Sequence, residues 1–315
     1  ALETVFSNVV MGQESELNFM SVRWNIRIGK CFHQLNALVY LCALSSLPAQ
    51  TTSSSPGHLQ SQPLTRHSQA SHPTLFEKHS AEATSVHFVH PFNTDHPKSY
   101  LYYESYTTGG IAIGDINQDQ KPDLFFAGAP VSNALFEQVD SFNFTNTTAT
   151  RLPPHPNQWA TGSTMVDIDQ DGDLDIYVCN YDSPNLLFIN EGPDQPMSEQ
   201  AASFKINIVD ACLMPSFADY DHDGDLDLFL LTNRYVKPGG RPPRPPIGIQ
   251  NGKPFILPAY EKFYYLRQTG PSSYTADATG RPDRLFRNNG NGTYSEVSSE
   301  SGIGAPGHGL SATWW

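Results

Sequence analysis

Two nine-residue stretches of this chain crowd together more carboxylates than neighbouring side chains tolerate without a counter-charge. One reads Asp167-Ile-Asp169-Gln-Asp171-Gly172-Asp173-Leu-Asp175, the other Asp219-Tyr-Asp221-His-Asp223-Gly224-Asp225-Leu-Asp227. Ca²⁺ is a hard cation that takes six to eight oxygens, and alternate acidic residues in a tight loop converge on one point. Positions 1, 3 and 5 supply side chains, and position 6 must turn sharply, which Gly172 and Gly224 do at no Cβ cost. Position 7 offers the carbonyl of Asp173 or Asp225, and position 9, Asp175 or Asp227, closes the cage. A third stretch is a weaker copy: Asp115-Ile-Asn117-Gln-Asp119-Gln120-Lys121-Pro-Asp123. It keeps Asp115, Asp119 and Asp123, has an amide oxygen from Asn117 at position 3, and places Lys121 at position 7. Gln120 stands where the turn glycine belongs, so lower affinity is expected there.

An EF-hand begins in the same way but ends on a bidentate Glu at position 12. Here position 12 is Val178 or Leu230, and the flanks alternate like strands, so the EF-hand reading fails. The three loops hold 13 of the chain's 32 Asp and Glu residues against 19 Lys and Arg, which explains much of the net charge of −13. That balance disfavours nucleic acid or an anionic membrane as partner.

The loops recur every 52 residues, with first ligands at Asp115, Asp167 and Asp219. A strand-like run precedes each, and an apolar run follows: Leu124-Phe-Phe-Ala, Ile176-Tyr-Val-Cys and Leu228-Phe-Leu-Leu. A third strand candidate recurs as Asn133-Ala-Leu-Phe136, Asn185-Leu-Leu-Phe188 and Arg284-Leu-Phe-Arg287. Repeats of about 50 residues built from several short strands predict an all-β protein of β-propeller blades, four strands each. Gly309 to Trp315 matches the strand leading into a further loop. Its late arrival is assigned to an insertion over 235–282, whose Pro-rich run Lys237–Pro246 forbids regular structure. So few blades predict the N-terminal part of a longer, larger ring.

Upstream, Arg23, Arg27 and Lys30 precede the apolar run Leu35–Leu47 and a cleavage site after Ser45 or Ala49. This predicts a signal peptide over 20–49, too short to span a bilayer, with residues 1–19 a mis-assigned upstream extension. Residues 50–73 lack periodicity and are expected to form a disordered linker before the repeats of 74–315. The implied location is secreted, periplasmic or cell-surface, with no membrane span after signal removal. In such a compartment Cys179 and Cys212 either pair or remain buried thiols; the sequence leaves both open.

These loops and strands resemble the FG-GAP/VCBS repeats of integrin-α-like propellers. Phe76-Glu-Lys-His-Ser-Ala-Glu-Ala83, Val86–His90, Arg281–Tyr294 and Gly307–Trp315 are similar to segments of the ASPIC/UnbV group, bacterial relatives of animal cartilage acidic protein. The resemblance covers residues 74–315 and implies calcium in the blade loops and a ring of seven or eight blades. The group's C-terminal ASPIC/UnbV module is not within these residues.

Motifs for catalysis are sparse. The chain has no Gly-x-Ser-x-Gly, His-Glu-x-x-His, Cys-x-x-Cys or phosphate-binding loop. His90 and His308 read as packing or hydrogen-bonding residues, and Tyr260, Phe263, Tyr264 and Tyr265 as aromatics buried beneath the insertion or stacked on a partner. The expectation is a non-catalytic scaffold that binds an extracellular protein or glycan, with Ca²⁺ at about three sites. The alternative is the propeller part of a secreted enzyme acting on polysaccharide.

Overall fold

The computed structural model describes residues 77–103, 109–193 and 195–314. The expected upstream extension, signal and linker all lie outside these residues. The described part is all-β, with only two four-residue α-helices, Ala81–Thr84 and Thr148–Arg151. No helix among the described residues is long and apolar enough to cross a membrane.

Three four-stranded antiparallel blades carry the repeat, the second and third joined into one eight-stranded sheet where Tyr181–Pro184 pairs with Val209–Ala211. The first runs Ile111–Gly114, Asp123–Phe126, Ala134–Asp140 and Asn143–Asn146. The second runs Ala160–Val166, Asp175–Pro184, Leu186–Ile189 and Ser198–Glu199. The third runs Val209–Ala218, Asp227–Thr232, Arg284–Asn288 and Tyr294–Glu296. Register repeats as well as sequence. The residue before each loop pairs with position 9, as Gly114 with Asp123, Val166 with Asp175 and Ala218 with Asp227. The residue after position 9 pairs with a phenylalanine, as Leu124 with Phe136, Ile176 with Phe188 and Leu228 with Phe286. In the third blade the Asn289–Gly292 turn joins the last two strands, as its Asn-Gly pairs predict.

The second blade shows why its apolar run is continuous. Successive strand residues face opposite sides. Ile176 and Val178 pack toward the first blade with Phe125 and Ala127, whereas Tyr177 and Cys179 pack toward the third with Leu228 and Leu230. Both faces are buried, so neither can be polar. The outer face of the first blade is covered by Val86 and Phe88 from the lead-in segment, packed on Phe126 and Phe136. Close approach between blades demands glycine at one point: a Cβ on Gly162 would lie 2.2 Å from the carbonyl oxygen of Leu213.

Cys179 and Cys212 are both buried free thiols, the second of the two alternatives left open by the sequence. Burial pushes the Cys212 thiol up to about 12.

Residues 235–282 lie between the second and third strands of the third blade. The run from Lys237 to Pro246 has no strand or helix, as its prolines require. Beyond it the chain forms two hairpins, Ile247–Gln250 with Lys253–Ile256 and Tyr264–Gly270 with Ser273–Ala278, which the sequence reading did not foresee. The neck is tied by a bridge between Arg234 and Gly280. Buried Asp210 reinforces it, accepting from Arg281 Nε at 2.7 Å and from Arg284 Nη2 at 2.8 Å.

Candidate metal centre

Each loop connects the first and second strands of its blade, so the β-sheet register fixes where its ends sit. The position 9 carboxylate is fully buried in all three loops and does the same structural work in each. Asp123 accepts from the amides of Ile116 at 2.9 Å and Gln138 at 2.7 Å. Asp175 accepts from Ile168 at 2.9 Å and Asn190 at 2.8 Å. Asp227 accepts from Tyr220 at 3.1 Å and Asn288 at 2.8 Å. One oxygen thereby holds the start of the loop, the other the third strand.

Position 1 organises the turn. Asp115 accepts from the amides of Asp119 and Gln120, Asp219 from those of Asp223 and Gly224, and Asp167 from that of Gly172. Position 6 takes left-handed backbone in every loop, with φ of 99° at Gly172, 98° at Gly224 and 67° at Gln120. Position 4 does the same at Gln118, Gln170 and His222, a feature the sequence reading missed because none of these is glycine.

In the second loop, carboxylate oxygens of Asp167, Asp169 and Asp175 lie within 4.8 Å of one another. Asp219, Asp221 and Asp227 do the same in the third. These two clusters can hold a metal ion. Asp171 and Asp223, at position 5, each accept through one carboxylate oxygen from the amides of Asp173 and Asp225, at 2.9 Å. One oxygen of Asp167 is buried with no hydrogen-bond partner, an arrangement that costs free energy unless a cation meets it. Burial raises the pKa of Asp175 to about 7, against the opposing amide bonds from Asn190 and Ile168. Burial likewise raises Asp123 to about 6, and it raises Asp227. Desolvation, then the nearby Asp171 carboxylate, raises Asp169. A divalent cation would supply the charge that these groups lack, and the donor set of clustered carboxylates with turn carbonyls suits a hard ion.

The first loop differs where a cation would sit. Asn117 replaces one carboxylate, and its side-chain oxygen accepts from the Asp119 amide. The Lys121 ammonium lies 2.7 Å from Asp119 Oδ2, filling with its own charge a place where a metal would bring its charge.

Side chains at positions 4 and 7 join neighbouring loops. Gln118 donates to the Gly172 carbonyl at 3.1 Å and to the Asp173 carboxylate, and Gln170 donates to the Gly224 carbonyl at 2.7 Å and to Asp225 at 3.1 Å. Asp173 and Asp225, expected to offer only their carbonyls, therefore also serve as contacts between blades. Of the histidines, His90 hydrogen-bonds the Ala129 carbonyl at 3.1 Å through Nδ1.

A sequence profile of the FG-GAP-like repeat matches residues 115–178 and 167–230, each match running from position 1 of one loop into the strand after the next. Residues 115–230 are thus FG-GAP-like repeats. The chain is similar to cartilage acidic protein 1 of mouse and of human, each 26% identical over 132 residues, which is 41% of this chain and 20% of the relative. Cartilage acidic protein 1 of Xenopus tropicalis is 26% identical over 140 residues, 44% of this chain and 22% of the relative. The chain thus spans about a fifth of the length of the curated relatives it matches. Blades of four strands with a loop between the first and second are the β-propeller architecture that FG-GAP repeats imply.

Proposed function

We propose that the three loops are structural Ca²⁺ sites in an exported, non-catalytic propeller whose complete ring of seven or eight blades presents a face to an extracellular protein or glycan. The observation that carries this reading is the convergence of Asp167, Asp169 and Asp175, with a buried unpartnered oxygen on Asp167. Side chains at positions 1, 3 and 9 would hold the ion, joined by the carbonyl at position 7. The ion supplies positive charge that offsets carboxylate repulsion and tightens the turn. It takes no part in chemistry here. The chain's own residues do the rest: position 9 fixes the loop to the third strand, and Gln118 and Gln170 couple loop to loop.

The experiment is calcium titration by calorimetry, with melting curves in calcium and in chelator. Binding of about two ions tightly and a third more weakly, with a rise in melting temperature, supports the proposal. A folded protein that takes up no calcium would sink it. Turnover of a polysaccharide that survives loss of the loops would favour the secreted-enzyme reading instead.

A further inference from the structure

The insertion reverses the electrostatic character of the molecule. Between residues 235 and 282 seven lysines and arginines stand against two acids, Glu261 and Asp277, in a chain of net charge −13. Part of that charge gathers at one cavity of about 300 Å³, between the Pro-rich run and the second hairpin. Arg234, Lys237 and Arg241 line one side, and Phe263 and Tyr264 contribute an aromatic side. Asp277 also reaches the lining, but its carboxylate is bound by Arg267.

Lys237 and Arg241 are not consumed by the fold. Lys237 spends one donor on the Pro238 carbonyl at 3.2 Å and rests 5.1 Å from the Tyr260 ring, leaving donors of its ammonium to spare. Arg241 is exposed and makes no hydrogen bond or ion pair among the described residues. Gly239 and Gly240, with φ of 84° and 79°, set the bend that returns Arg241 to the cavity. The volume lies at the small end of ligand sites, which run about 300–1,000 Å³, and so admits a terminal ring and little more.

We propose that this cavity binds a terminal uronic acid of an acidic polysaccharide. Lys237 and Arg241 hold the carboxylate, a geometry guanidinium suits through paired N–H donors. Phe263 and Tyr264 take the apolar face of the sugar ring. A bare oxyanion or an acidic peptide would leave that aromatic side unused, and a lipid chain would meet cations. The inference deepens the extracellular-binding reading above but does not depend on calcium in the loops.

The test titrates the whole chain with a uronic acid trisaccharide and with the neutral trisaccharide of the same linkage, in calcium and in chelator. We expect binding of the acid alone, weakening as salt rises, and about tenfold weaker in Lys237→Gln or Arg241→Gln. Phe263→Ala should weaken it too, with unchanged salt dependence. Both cationic positions lie outside the core, and melting curves of the variants confirm that they fold. Equal affinity for the neutral sugar, no binding of either, or unaltered binding in both cation variants overturns the proposal. So does tighter binding of triglutamate than of the uronate. Calcium uptake measured in the same samples separates the two readings: uronate binding without calcium uptake removes only the loop assignment, and calcium uptake without uronate binding removes only this one.

Discussion

The second and third loops and the first share one path through space yet differ in what that path presents. Asp123 makes the same two amide bonds as Asp175 and Asp227, and Gln120 adopts the left-handed turn of Gly172 and Gly224. The metal-facing positions diverge, with Asn117 for a carboxylate and Lys121 beside Asp119. The motif therefore has two separable halves. Positions 1 and 9 build the turn through the same kind of hydrogen bonds in all three loops, and positions 3, 6 and 7 are where the first loop departs from the other two.

The sharpest way to break this division is at position 9. Asp175→Ala orphans two buried amides and should cost about 3 kcal/mol by urea unfolding in chelator, and Asp123→Ala should cost nearly as much. A mild effect at Asp123 alone would mean that the first loop is held differently. Next in size, Asp169→Ala and Asp221→Ala should each abolish one calcium in calorimetry and lower the melting temperature only when calcium is present. Asn117→Ala should change much less. Conversely, Lys121→Asp frees Asp119 and restores the charge of the stronger loops, and should raise calcium affinity at the first loop about tenfold. Gln120→Gly relieves left-handed backbone strain and should add about 1 kcal/mol to stability.

The smallest effect serves as a control. Burial pushes the Asp210 carboxyl up, but its bonds from Arg281 and Arg284 outweigh this and hold it below the ordinary range. A depressed folded pKa means the stabilisation is fully present above the unfolded value of about 3.9 and is lost as pH falls through the lower, folded value. Melting temperatures should therefore show no Asp210 contribution to pH dependence between pH 5 and 8, the range in which the loops are compared. An acid limb above pH 5 that disappears in Asp210→Asn would contradict that assignment.

Much of the architecture was legible because the same constraints recur. The 52-residue spacing, the apolar runs after each loop and the glycines at position 6 located three blades and two metal-competent clusters. What escaped depends on partners distant in sequence. That Gln118 meets Asp173 follows from blade packing, which no local pattern encodes. The left-handed backbone at position 4 falls on Gln and His, residue types that carry no turn signal. The hairpins at 247–256 and 264–278 hid because strand alternation is weak there: Tyr265, Arg267, Gln268 and Thr269 are all exposed, so little burial disciplined the sequence. Position 9 was identified as a ligand, but its role in satisfying two amides required the third strand to be in place.

Gln118 and Gln170 reach forward rather than back, each gripping the turn of the following loop. The sites consequently lie in series, like links that share pins. Straightening one turn slackens its successor, so a change in the second loop would be felt at the grip between Gln170 and the third. His222 occupies the same place in the third loop with the same left-handed backbone, presenting an imidazole where its predecessors present an amide. The series thus has a direction along the chain, and the chemistry of its pins changes at that point.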